Sequence, residues 1–155
     1  MKVKAVLITL ALCLAATSVV LAKTSPQMGT WKLNEAKSKF AKGAAKNHTV
    51  VYEAAGDDIK VTVDGVDGDG NATHNEWTGK FNGKCYKVDG DPTGDQRCYK
   101  TLNSHTLQLT GKNGGKVTVS GRIVVSANGK MRTVTTYVTD AKGKRIRNVA
   151  VYDKG

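Results

Sequence analysis

Catalytic signatures, prolines and cysteines are what this chain has least of. No Gly-x-Ser-x-Gly, His-Glu-x-x-His or Walker-type loop occurs in its 155 residues, which removes the nucleophile-elbow hydrolases, the zincins and the P-loop enzymes as readings. The three histidines, His48, His74 and His105, fall on separate segments without zinc-type spacing, so neither a metal site nor a cofactor is expected. Two prolines and no low-complexity stretch leave nothing that reads as a linker between domains. Acidic side chains are outnumbered, 13 against 24 lysines and arginines. Yet no five or six basic residues stand in a row, so the net +11 bears on solubility and attraction to anions rather than on a basic tail.

One long apolar run is present, and it lies at the start. Lys2 and Lys4 precede a mostly apolar stretch over residues 5–21, and Val20-Leu21-Ala22 sets short side chains where a signal peptidase reads. No charged stop-transfer block follows, so residues 1–22 read as a removable export signal with a cut after Ala22, not as a transmembrane span. Residues 23–155 then form one domain of 133 residues with 22 basic and 13 acidic side chains, a net +9. That length is sufficient for a single core. Cys13 departs with the signal; a lipoprotein cut before it is excluded by bulky Leu12 and by the hydrophobic region it would halve. Cys85 and Cys98 remain, an even number in an oxidising compartment. If the segment between them is a hairpin centred on Asp91-Pro92, the two face each other and form a disulfide. A two-cysteine metal site lacks a histidine at zinc spacing. The expected location is the periplasm or the external medium.

Between His48 and Asp153, short runs rich in Val, Thr, Tyr and Ile alternate with Gly, Asn and Asp pairs. Nine strands are predicted at 48–55, 59–66, 72–81, 84–88, 96–102, 106–110, 116–126, 131–139 and 145–153. Asn82-Gly83 and Asn128-Gly129 are two-residue hairpin signals with φ > 0 at both positions. Gly114-Gly115 and the stretch 67–71 serve similarly. Ile59, Val61 and Val63 alternate with Lys60, Thr62 and Asp64; Val117, Val119, Ile123 and Val125 repeat the rhythm, as do Val149 and Val151 against Asn148 and Ala150. Asn34 is placed to cap a short helix or turn. With a strand at Trp31 the count is about ten, and a meander of that size closes into an up-and-down antiparallel barrel because an open sheet would expose two edges. The expected fold class is all-β.

Gly29-Thr30-Trp31-Lys32-Leu33 resembles the opening strand of the calycin barrels, the lipocalins, avidins and fatty-acid-binding proteins, with wording closest to the last. Val151-Tyr152-Asp153-Lys154 looks like that family's closing strand; where the family has an arginine two residues before the tyrosine, this chain has Ala150. The whole mature chain is similar to small exported bacterial proteins of lipocalin-like type. The resemblance implies that Gly29 and Trp31 are structural, with Trp31 plugging the closed end and stacking on a basic side chain from a late strand. That likeness implies a fold and a compartment rather than an activity; the reading the residues favour is a protein that carries or sequesters a small hydrophobic or amphipathic ligand, a binder rather than an enzyme.

Three residue sets compete for function. Trp77, Tyr86, Tyr99, Tyr137, Tyr152 and Arg147 are the candidate ligand-lining residues, the tyrosines offering an apolar body and a hydroxyl; ordinary barrel filling or outward tyrosines are the alternative, because a one-residue bulge reverses which face is inside. His74 and Glu76 share a face and would form the acid–base pair of a lyase- or isomerase-type cavity enzyme. Lys112, Lys116, Lys142, Lys144 and Arg145, on two adjacent hairpins of one rim, form a candidate anion patch for acidic polysaccharide or lipid headgroups, nucleic acid being the less expected polyanion. Residues 64–71 resemble a calcium loop, but Ala72 and Thr78 stand where an EF-hand needs Gly and Glu, leaving an acidic hairpin turn.

Overall fold

The computed structural model describes residues 25–140 and 142–155; the export signal expected at 1–22 lies outside the described residues. Ten strands follow one another along the chain: β1 Gly29–Leu33, β2 Lys46–Ala55, β3 Asp58–Val66, β4 Ala72–Gly79, β5 Asn82–Asp89, β6 Gln96–Asn103, β7 Thr106–Asn113, β8 Lys116–Val125, β9 Met131–Thr139 and β10 Arg145–Lys154. Each pairs antiparallel with its neighbour in sequence, and β1 meets β10 through Trp31↔Lys154, Lys32↔Asp153 and Leu33↔Tyr152, so the sheet closes on itself. Closure leaves no free edge. This is the all-β up-and-down barrel read from the sequence.

The one helical element among the described residues is a 3-10 turn, Glu35–Lys37, capped by Asn34, whose Oδ1 accepts from the Lys37 N–H at 3.1 Å. The chain then runs along the outside of β10: Asn34 N–H donates to the Val151 carbonyl, and Lys39 and Val149 exchange both backbone hydrogen bonds. Residues 41–45 continue over one end of the barrel, where Ala41 N–H donates to Asn148 Oδ1 at 2.8 Å. On β10 Asn148 and Tyr152 line the cavity, so Val149 and Val151, at the alternate positions, face outward.

Turn chemistry holds in part. Gly114 and Gly115 take φ of +54° and +80° between β7 and β8, the two left-handed positions that a tight hairpin needs and glycine supplies freely. At Asn128-Gly129 only the glycine has positive φ, and the connection is a five-residue loop, 126–130, closed by Gly129 N–H on the Ser126 carbonyl. Asn82 and Gly83, expected as a turn, belong to β5. Asn82 pairs with Lys100, an irregularity in register separates that pair from Cys85↔Cys98, and the chain reverses earlier, at residues 80–81. A second irregularity, between Gly111 and Lys112 opposite β8, turns Val117 outward, 56% exposed, while Val119 lines the interior and Ile123 and Val125 are buried.

Cys85 and Cys98 are opposite one another and joined by a disulfide across β5 and β6. The core runs from Trp31 through Val50, Tyr52, Val61, Val63, Trp77, Val88, Tyr99, Leu107, Ile123, Val125 and Tyr152. No helix among the described residues is long and apolar enough to cross a membrane.

Candidate functional site

One end of the barrel is sealed. Trp31 is fully buried, and its indole N–H donates to the Gln27 carbonyl at 2.8 Å; Gln27, 1% exposed, donates in turn from Nε2 to the His105 carbonyl. Arg132 of β9 lies over the Trp31 ring at 5.2 Å and over the rings of Tyr52 and Tyr152 at 4.9 and 4.8 Å, and Lys154 lies 4.3 Å from the same indole. Trp31 is thus buried at this end with two cations against its ring.

Above that floor a cavity of about 490 Å³ rises to the opposite end. Its walls carry Val50, Val63, Leu109, Ile123, Val134 and Val138, and its floor reaches Tyr52, Arg132 and Tyr152. The mouth is framed by residues 41–45 and by the 67–68 and 91–94 turns. The frame is tight at Gly68, where a Cβ would fall 2.2 Å from the Gly43 carbonyl oxygen. Asp67, turned on itself, accepts from the N–H groups of Asp69 and Asn71 and from the Asn71 side chain. That is the acidic hairpin turn favoured over a calcium loop.

A polar cluster stiffens one side of the mouth. Arg97 Nη2 donates to Asp91 Oδ2 at 2.6 Å and to Asn75 Oδ1 at 2.9 Å, and Asp91 Oδ1 also accepts from the amide and hydroxyl of Thr93. Burial pushes the Asp91 carboxyl up, but the Thr93 donors and the Arg97 charge outweigh it and hold it below the usual carboxylate range. Burial likewise drives the Tyr99 hydroxyl strongly upward and the Tyr152 hydroxyl up to about 12. Both therefore remain protonated donors at neutral pH.

The structure divides the predicted ligand set. Tyr99 and Tyr152 line the cavity. Trp77 and Tyr86 point inward but fill the barrel: they pack edge to face at 5.7 Å, the Trp77 indole donates to the Arg97 carbonyl, and the Tyr86 hydroxyl accepts from Asn82. Gly79 makes room for both rings, since a Cβ there would fall 2.5 Å from Tyr86. Tyr137 and Arg147, paired across β9 and β10, stand on the outer wall, where Arg145 covers the Tyr137 ring at 4.0 Å. They are on the wrong side because inward parity on β9 belongs to Arg132, Val134 and Val138. His74 and Glu76 are also outside, their side chains 57% and 44% exposed. His74 Nδ1 bonds Asp64 at 2.6 Å, and Glu76 bonds Lys60 at 2.7 Å. They form a surface ion-pair ladder on β3 and β4, and the interior acid–base pair is not assembled.

Tyr52, Asn75, Arg97 and Arg132 are the site residues that sequence reasoning missed. Parity with Val134 and Val138 was the available signal for Arg132, and parity with Val50 for Tyr52.

Charge on the outside is segregated. Residues 46–95, β2 to β5 with the turn that follows, hold ten acids and five bases; residues 96–155, β6 to β10, hold two acids and twelve bases, ten of them outside once the interior Arg97 and Arg132 are set apart. In a closed barrel these halves face opposite directions. Lys112, Lys116, Lys142, Lys144 and Arg145 belong to the basic half, and among the described residues none of them is in an ion pair.

Fold and site together define a closed antiparallel β-barrel with a one-ended interior cavity, an architecture consistent with the calycin type. No protein-family model matches the chain, and no curated protein matches it.

Proposed function

We propose that this protein is an exported, lipocalin-like binding barrel that carries or sequesters a small hydrophobic or amphipathic molecule in its interior. The observation that carries the reading is the cavity: about 490 Å³, sealed at Trp31 and open at the opposite end, with aliphatic walls and a few fixed polar groups. That size and chemistry are those of small-molecule sites, which span roughly 300–1,000 Å³. The Cys85–Cys98 disulfide suits the oxidising compartment to which the expected signal would send the chain. Titration with the neutral apolar fluorophore N-phenyl-1-naphthylamine tests it. One saturable site is expected, and Val134→Trp, which fills the cavity from its wall, removes it. Equal binding by the variant would place the probe outside the barrel and refute the reading.

A second reading rests on the charge segregation. The β6–β10 half docks the barrel on an acidic polysaccharide or on anionic lipid headgroups, through a field that added salt screens. Retention on immobilised heparin that falls with salt, and is lost when Lys142, Lys144 and Arg145 are changed to Glu, is the expected result. Unchanged retention in that triple variant removes the patch.

A further inference from the structure

We infer that Arg132 is an anion anchor at the cavity floor, so that the ligand is a carboxylate-bearing amphiphile bound head-inward. The inference rests on the reading of the cavity as a binding site and names the chemical class of its occupant.

Arg132 is 2% exposed, yet among the described residues its Nε and Nη1 have no hydrogen-bond partner. A guanidinium carries five N–H donors in one plane. The three rings around it interact with the cation through their faces. Rings of this kind compensate charge but do not accept the in-plane N–H groups. Leaving such donors unmet in a buried place is costly, more so when the group is charged.

The same barrel shows what a neutralised buried arginine looks like. Arg97, at the mouth, has Asp91 at 2.6 Å and Asn75 at 2.9 Å. Arg132 has no such acid; among the described residues it takes part in no ion pair. Its charged neighbour is a second cation. Lys154 shares the Trp31 ring, and its ammonium is pushed down first by burial and then by Arg132. A planar guanidinium that lines the cavity at a positive, water-poor floor matches a carboxylate. Between that floor and the mouth Leu109, Ile123, Val134, Val138 and Ile146 give an apolar wall, with Tyr99 and Asn148 as neutral polar groups on it, and the arginine at the mouth, Arg97, is already paired with Asp91. One charged end and one apolar body are therefore both accommodated, with the head down.

Displacement of N-phenyl-1-naphthylamine by decanoate, decanol and decylammonium tests this on the mature protein. Decanoate is expected to displace the probe at concentrations about tenfold or more below decanol, the range of a charged hydrogen bond, with decylammonium weakest. In Arg132→Gln, with each displacement referred to the variant's own affinity for the probe, the advantage of decanoate over decanol disappears. Should that variant not fold, the wild-type ligand series decides alone. Decanol equal to decanoate overturns the anchor and leaves the cavity reading standing. A decanoate preference that persists in Arg132→Gln also overturns it, moving the anion to the basic rim. No binding of the probe or of any decyl compound removes the cavity reading and the anchor with it.

Discussion

Replacing Asp91 by Asn tests whether the mouth of the barrel is held by a buried ion pair. The carboxylate accepts from Arg97 Nη2 at 2.6 Å and from both Thr93 donors, and the Asp91 and Arg97 side chains keep 15% and 12% of their surface. Removing one partner of a fully buried pair costs about 3–5 kcal/mol, because the other charge is left without compensation. Here some exposure remains, and Asn still accepts hydrogen bonds, so about 2–3 kcal/mol is expected. Urea unfolding at pH 7 measures it, and a cycle with Arg97→Gln isolates the coupling between the two side chains. The pH dependence has a definite sign. The folded Asp91 carboxyl lies below its ordinary value of 3.8, so its stabilisation is present above that value and is lost as pH falls through the folded pKa. The gap between wild type and variant therefore narrows below about pH 4. A gap under about 0.5 kcal/mol at pH 7, the scatter of surface substitutions, or a gap unchanged in acid, would refute the ion pair as the element that fixes the mouth.

Two further outcomes follow from the same structure. Changing Cys85 and Cys98 together to Ala opens a loop of sequence separation 13, and a loss of roughly 3 kcal/mol is expected in the urea midpoint; a midpoint equal to that of the oxidised protein would show that hairpin pairing alone holds β5 to β6. Tyr152, raised by burial from 10.0 to about 12, contributes stability that is complete below pH 10 and is lost as pH climbs through 12. That single group accounts for about 3 kcal/mol of alkaline destabilisation. Phenolate absorbance should rise in two phases, the second coinciding with loss of the fold, and a single phase centred near pH 10 would refute the burial of Tyr99 and Tyr152.

The barrel itself was legible because closure follows from local signals that agree. Alternation on Ile59, Val61 and Val63 set the β3 face correctly, Gly114-Gly115 set a turn, and the Trp31 strand supplied the partner that β10 needed. The errors share one cause: local pattern does not state what lies on the far side of a strand. Val149 and Val151 continue an apolar alternation, but Asn148 and Tyr152 hold the inward positions of β10, and the stretch after β1 is fixed beside that strand by Asn34, Lys39 and Ala41 reaching it across more than a hundred residues. Val117 continues an apolar rhythm that a bulge opposite Gly111 interrupts. Tyr137 drew attention as an aromatic side chain, although its immediate neighbours assign it outward.

Those neighbours also explain why the central residue of the site is an arginine that composition hides. In Met131-Arg132-Thr133-Val134-Thr135-Thr136-Tyr137-Val138, inward parity holds Arg132, Val134, Thr136 and Val138, and β10 sets Tyr152, Ala150, Asn148 and Ile146 against them in that order. The charge on this face lies at one end: Arg132 meets Tyr152 at the floor, the Thr136 and Asn148 pair is a neutral polar step midway, and Val138 meets Ile146 nearer the mouth. In a solid barrel core the ring contacts of Arg132 would have to offset the desolvation of a guanidinium with no acid beside it, a cost that a methionine of similar length stacked on Trp31 does not carry. Retaining the charge makes physical sense where something in the cavity answers it, and the gradient from Arg132 to Val138 and Ile146 gives that something a charged end and an apolar end in a fixed order.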